Sequence, residues 1–210
     1  MERPSHILKD RWVQALLPIA EERGWSEANA KSAAAEAGLS EGECALAAPG
    51  GVNDLIDHMF QSAADKMLED MAARDLSDLR THERVGEGLK VWLGHLDPYR
   101  QAVKKAAVCG VFPTRAGAAS RTVWAIADAV WEAAGDTATD YNRQTKRGLL
   151  SAVIPSVVMF WADRPDEDDL DAHIEKRLSQ AMRLGQAGSK VVKPVLDLFE
   201  RVRDRTVRGS

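Results

Sequence analysis

Five histidines, two cysteines and scattered serines are the side chains of this 210-residue chain that could serve as nucleophiles, bases or metal ligands. His6, His58, His82, His95 and His173 lie far apart. None has a second histidine four residues along, the spacing that puts two imidazoles on one helix face for zinc. Cys44 and Cys109 match no metal or redox spacing and read as small core residues of a reducing compartment. No serine stands in a nucleophile-elbow context, and no glycine-rich loop is built to cradle phosphate. His58, next to Asp57 and near Asp54, reads as part of a solvated helix face. The residues therefore predict a protein that binds and does not catalyse, with no metal and no cofactor.

The elements that would position a binding site are helical. Hydrophobic residues make up 45% and charged residues 29%, an ordinary globular balance, and alanine-rich stretches run long without Gly or Pro. Ile7, Leu8, Trp12, Leu16 and Ile19 fall at helical spacing before Gly24, and Ser26 is placed to cap a second helix ending at Gly38-Leu39. Ser40 and Glu43 form a capping-box pattern for a short third helix. Longer helices follow through Leu55–Met71, Val85–Leu96, Tyr99–Val111, Thr114–Ala134 and Thr139–Ala162. An acidic cluster from Asp163 to Asp171 opens another, where negative charge suits the helix dipole. A last helix is predicted from Lys190 to Arg208.

The sum is an all-α bundle of about nine to ten helices, TetR-like in layout, with a three-helix head over residues 1–51. A ligand-binding body over 52–186 and a tethered amphipathic helix over 187–210 complete it. The N-terminus lacks the apolar core of a secretory signal, and the longest apolar stretch, Leu149–Ala162, is too short to span a bilayer. The expected location is cytoplasmic.

A head of this layout invites a DNA-binding reading, which its charges oppose. Across Met1 to Phe60 five cations face ten acids. The candidate recognition helix, Glu41-Gly42-Glu43-Cys44-Ala45-Leu46-Ala47-Ala48, has no side chain to reach a base edge or replace a phosphate counterion. No nucleic-acid partner is expected. A ligand-responsive transcription regulator of the TetR type is kept as the alternative function.

The most specific string is Ala134-Gly135-Asp136-Thr137-Ala138-Thr139-Asp140-Tyr141-Asn142-Arg143-Gln144-Thr145-Lys146-Arg147. It resembles the signature of the Coq nine family of ubiquinone-biosynthesis accessory proteins. The likeness continues loosely through Leu149–Val153, and Ala47–Gly51 with Leu55-Ile56-Asp57 is similar to the family as well. The resemblance implies a TetR-like, dimeric, non-enzymatic protein that binds an isoprenoid or quinone-like lipid and helps a membrane-associated di-iron quinone hydroxylase. Two positions depart from the family. Its adjacent Trp-Tyr pair, associated with docking the hydroxylase, is Arg143-Gln144 here, and Ala138 replaces a serine. Read physically, Gly135 closes one helix, and Asp136 with Thr139 turns the chain into the next. Asp140, Asn142, Arg143 and Lys146 form a polar face and are the candidate partner surface.

Two further features bear on binding. Trp92, Phe112 and Trp124, with Ile154, Val157, Val158 and Trp161, concentrate apolar surface after residue 90, and Pro155 interrupts that helical run. They are the candidate lipid pocket. In the last helix Val192, Val195, Leu196, Phe199 and Val202 recur at helical spacing among Lys190, Lys193, Arg201, Arg203, Arg205 and Arg208. A basic amphipathic helix on a glycine tether predicts a peripheral anchor to the inner face of a membrane, bearing on Val192, Val195, Leu196, Phe199, Val202 and Arg203. A homodimer interface is the other use of the same stripe.

Overall fold

The computed structural model describes residues 4–109, 116–136 and 141–186. Among them the chain forms nine α-helices and one 3-10 turn, with no strand. The helices are α1 (Pro4–Arg23), α2 (Glu27–Glu36), α3 (Glu41–Ala47), α4 (Val52–Ala72) and α5 (Thr81–Leu96). After the 3-10 turn Asp97–Tyr99 come α6 (Arg100–Cys109), α7 (Ala116–Ala133), α8 (Tyr141–Ala162) and α9 (Glu167–Gln186).

The breaks fall where local chemistry puts them. Ser26 accepts from the Asn29 N–H at 3.1 Å to start α2. The Ser40–Glu43 capping box forms as the pattern requires, Ser40 N–H donating to Glu43 Oε2 at 2.8 Å and Glu43 N–H to Ser40 Oγ at 3.3 Å. Gly51, at φ +65°, sits where a Cβ would lie 2.5 Å from the Glu27 carboxylate. That carboxylate accepts from the Val52 N–H at 3.0 Å and so ties α2 to the start of α4. The chain passes through Pro155 without leaving α8.

α4 packs along α7 and α5, while α8 lies between α7 and α9. The first three helices sit together: Trp12 and Leu16 of α1 are buried with Ala30, Ala33 and Ala34 of α2, and Trp12 Nε1 donates to Ala30 O at 2.7 Å. This head shares one continuous apolar core with the helices that follow, running from Trp12 to Leu178. It is also fastened to the body at the ends of two helices. Glu21, in the last turn of α1, accepts from the Ala102 N–H (2.7 Å) in the first turn of α6. In return Lys105 Nζ donates to the carbonyls of Glu21 (2.7 Å) and Glu22 (2.9 Å), and Trp25 Nε1 to Ala102 O (2.8 Å). Each helix thus supplies polar partners that the other's end lacks.

The predicted helix Lys190–Arg208 lies outside the described residues, and with it Val192, Val195, Leu196, Phe199, Val202 and Arg203. Phe112, Asp140 and the Asn142 side chain lie outside them too.

Candidate functional site

The signature string forms the junction of α7 and α8. Gly135, at φ +80°, ends α7: its N–H donates to Glu132 O at 2.9 Å and the Asp136 N–H reaches back to Trp131 O at 3.0 Å. This is the six-to-one and five-to-two pairing that a left-handed glycine permits. The Asp136 carboxylate then turns inward. Its side chain is only 5% exposed, and it accepts from Lys146 Nζ at 2.6 Å and from Arg147 Nη1 at 2.9 Å. Arg147, 4% exposed in its side chain, also donates through Nε to Asp128 of α7. Arg143 reaches both oxygens of the same Asp128, at 2.9 and 3.1 Å. Trp131 lies against this network, its indole N–H donating to Lys146 O at 3.1 Å with the Lys146 ammonium 5.2 Å from its ring centre.

Two carboxylates, two guanidiniums and an ammonium thus bind the hairpin together. Burial alone would raise both aspartates, but the hydrogen bonds from Arg147 and Arg143 hold Asp128 below the ordinary carboxylate value. Those from Lys146 and Arg147 do the same for Asp136. Both stay ionised, so the network stores fixed charge and offers no proton for acid–base work.

Of the candidate partner surface, Arg143 and Lys146 are each partly exposed and ion-paired to α7 or to the turn. Gln144, between them in sequence, is exposed. Asp128 was missed, although a signal existed, since Asp128 and Arg143 lie equally far in sequence from the Gly135-Asp136 turn. An antiparallel helix pair brings such positions together.

Five of the seven pocket candidates belong to the apolar core. Trp92, Ile154, Val157, Val158 and Trp161 are buried, and Trp124 is half-buried. Trp92 Nε1 donates to Phe60 O at 3.3 Å. Arg100 lays its guanidinium 4.4 Å from the Trp161 ring centre and donates to the Trp161 carbonyl at 2.8 Å. Three clefts lined by described residues take in none of these six side chains. The first, about 190 Å³, lies around Asp10, His58 and Lys66. The second, about 310 Å³, separates α5 from α9, and the third, about 370 Å³, lies near Arg74 and Glu167.

Two histidines are more than solvated face. His58 is mostly buried and shares a 2.6 Å hydrogen bond with Asp10 of α1. Burial pushes its pKa down against the pull of that carboxylate. His173 stacks on Phe160 with ring centres 4.1 Å apart and lies 3.2 Å from Ser156 Oγ, which accepts from Arg177 Nε at 2.8 Å. Burial with nearby Arg177 and Lys176 lowers His173 as well. Among the described residues no three His, Cys, Asp or Glu side chains gather to hold a metal ion, and no helix is long and apolar enough to cross a membrane.

Fold and site together define a helical-bundle protein whose most specific sequence is a charge-locked hairpin. Residues 116–185, spanning α7 to most of α9, match the family model for COQ9. The family resembled by the signature is the one the comparison finds, and these residues are a COQ9-family region. The chain is 24% identical over 193 residues to the Homo sapiens "Ubiquinone biosynthesis protein COQ9, mitochondrial", covering 88% of this chain and 60% of that protein. It is 24% identical over 193 residues to the Bos taurus protein of the same name, and 25% over 194 residues to Xenopus laevis COQ9-B, covering 66% of the latter. The chain spans roughly three fifths of the length of the first of these relatives. The comparisons do not support the transcription-regulator alternative.

Proposed function

We propose that this chain is a non-catalytic accessory protein of ubiquinone biosynthesis. It binds a quinone or isoprenoid intermediate within its helical body and presents it to a membrane-associated enzyme. The observation that carries the reading is the family match over α7–α9, the segment that contains the charge-locked hairpin. The role named for the relatives points to the pathway, and the apolar helices that flank the hairpin offer side chains that a lipid could contact. In this reading the ligand enters by parting helices around Trp92, Trp124 and Val157, and the last helix holds the protein at the inner membrane surface. The protein acts as a homodimer, and the receiving enzyme is a di-iron quinone hydroxylase. The exposed Gln144, in place of an aromatic residue, gives that contact a polar centre and calls for a partner surface with matching hydrogen-bond groups.

The direct test is organic extraction of the purified full chain followed by mass spectrometry. A polyprenyl or quinone-like lipid is expected at a stoichiometry well above that carried by an unrelated helical protein purified alongside. Ile154→Trp, which fills the body with an apolar side chain, should reduce the co-purifying lipid while helicity persists. An extract indistinguishable from the control overturns the reading.

A further inference from the structure

The cleft between α5 and α9 has an apolar floor and an acidic rim. Ile174 and Leu178 are buried in the floor beside Gly86, where an added Cβ would lie 3.6 Å from Ile174 Cγ2. Around it stand Glu83, Glu87, Asp171 and Glu175, with Lys90 the one ammonium among the lining residues. Lys90 is shared, 3.3 Å from Glu87 and 3.0 Å from Asp171, and Glu87 is also paired with Arg74, which leaves Glu83 and Glu175 as the surplus. The other oxygen of Asp171 is buried without a hydrogen-bond partner among the described residues. Glu175 has no ion-pair partner among them. The rim therefore keeps a surplus of negative charge over an apolar strip, the surface that suits a basic amphipathic helix.

The chain itself carries such a segment, and it begins close by. α5 and α9 run antiparallel, since Lys90 meets Asp171 while Gly86 lies beside Ile174 and Leu178. The end of the cleft at Leu79 and His82 therefore faces the C-terminal end of α9. There Met182, 40% exposed, extends the Leu170–Ile174–Leu178 stripe by one more turn. Residues 187–210 follow, with six cations against Asp197, Glu200 and Asp204 and an apolar stripe containing Leu196 and Phe199. From Asp171 to Gln186 the helix is roughly 22 Å long, and a returning helix of similar length fits within the remaining chain.

We propose that, away from a membrane, residues 190–208 dock as a helix on the α5–α9 cleft of their own chain. Leu196 and Phe199 lie on the floor, the cations face Glu83 and Glu175, and anionic lipid competes for the same helix face. The tether gives the segment an effective concentration on the order of millimolar, so a contact too weak between separate chains is populated within one. The consequence is a covered anchor: the apolar stripe is shielded in solution and released where the surface is more anionic than the cleft. The proposal rests on the amphipathic reading of this segment and is independent of any lipid cargo.

Carbodiimide labelling of carboxylates, read by mass spectrometry at low salt without lipid, tests it. In the full chain Glu83 and Glu175 should label about threefold more slowly than in a chain ending at Gly188, as a latch docked about two thirds of the time requires. Exposed Glu36 and Glu69 should label equally in both. The full chain carrying Leu196→Ser with Phe199→Ser keeps every charge and should label like the shortened one. Vesicles of mixed anionic and neutral phospholipid should unmask both glutamates in the unaltered chain. Equal labelling of the full and shortened chains overturns the proposal. Protection that disappears on roughly tenfold dilution also overturns it, because it assigns the cleft to a second copy. Failure here with vesicle binding intact would leave the membrane reading standing, so the two failures are distinguishable.

Discussion

At the scale of single residues, Arg147 matters most. Its side chain is 4% exposed and answers two carboxylates, one of them 5% exposed. Removing one partner of a buried pair costs about 3–5 kcal/mol, because the remaining charge stays buried without compensation. Arg147→Met should therefore lower the urea midpoint by an amount equivalent to several kcal/mol, and adding Asp136→Asn should recover part of it. A change within about 0.5 kcal/mol would mean the signature is only a contact surface. Acidity separates this network from His58. Asp128 and Asp136 are held below their ordinary 3.8, so their stabilisation is complete above that value and is lost as pH falls through the lower folded pKa. His58 is also depressed, from 6.5, and the unfolded chain takes its proton first. Stability should thus fall as pH drops below about 6.5, well before the aspartates matter, and His58→Gln should flatten that upper slope in pH-dependent urea unfolding. The signature glycine and Asp136 were legible from the string alone. Asp128 was not, because its role depends on the register of two helices and not on its own neighbours.

At the scale of elements, caps and stops were the readable part. The Ser40–Glu43 box, the Ser26 cap and the glycine stops follow from local sequence, and each appears in place. The link from Glu27 to Gly51 and Val52 was not readable, since it joins positions 25 residues apart. Gly51→Ala combines a disfavoured positive φ with a Cβ set 2.5 Å from the Glu27 carboxylate. It is expected to destabilise by about 1–2 kcal/mol or more, measured as a lower thermal midpoint at unchanged helicity. In Glu27→Ala the steric part of that penalty should shrink, giving a non-additive double mutant. Additive effects would show that the carboxylate does not hold the turn. Whether the apolar residues around Val157 frame a pocket is unreadable in the sequence for a parallel reason. Apolar residues at helical spacing read the same whether they line a cavity or close it, and only three-dimensional packing distinguishes the two.

For the whole molecule, the informative quantity is where charge accumulates. The net charge is −4, yet the stretch from Ala172 to the end carries nine Lys and Arg against four Asp and Glu. Such asymmetry favours an anionic surface at one end only, while the acidic head turns polyanions away. Liposome flotation should recover the full chain with anionic vesicles and far less with neutral ones. Basic residues add about 1 kcal/mol each near an anionic surface, and neither they nor Leu196 and Phe199 alone suffice to hold a protein firmly. A chain ending at Gly188 should stay in solution with its helices intact. Its flotation at full yield would move the anchor elsewhere. The all-helical class was evident from periodicity. The fastening of head to body was not, since the pairs that make it lie about 80 residues apart.

That fastening has a consequence in time. Glu21 and the final carbonyls of α1 find their partners only when Ala102 and Lys105 have been made. At about 5–20 residues per second, synthesis of the intervening stretch takes roughly 4–16 s. Throughout that interval the nascent head lacks the contacts that close its lower end, and Trp25 lacks the carbonyl of Ala102. The fastening of head to body therefore comes late in synthesis, and whatever structure the head's own contacts hold before then lacks these four hydrogen bonds.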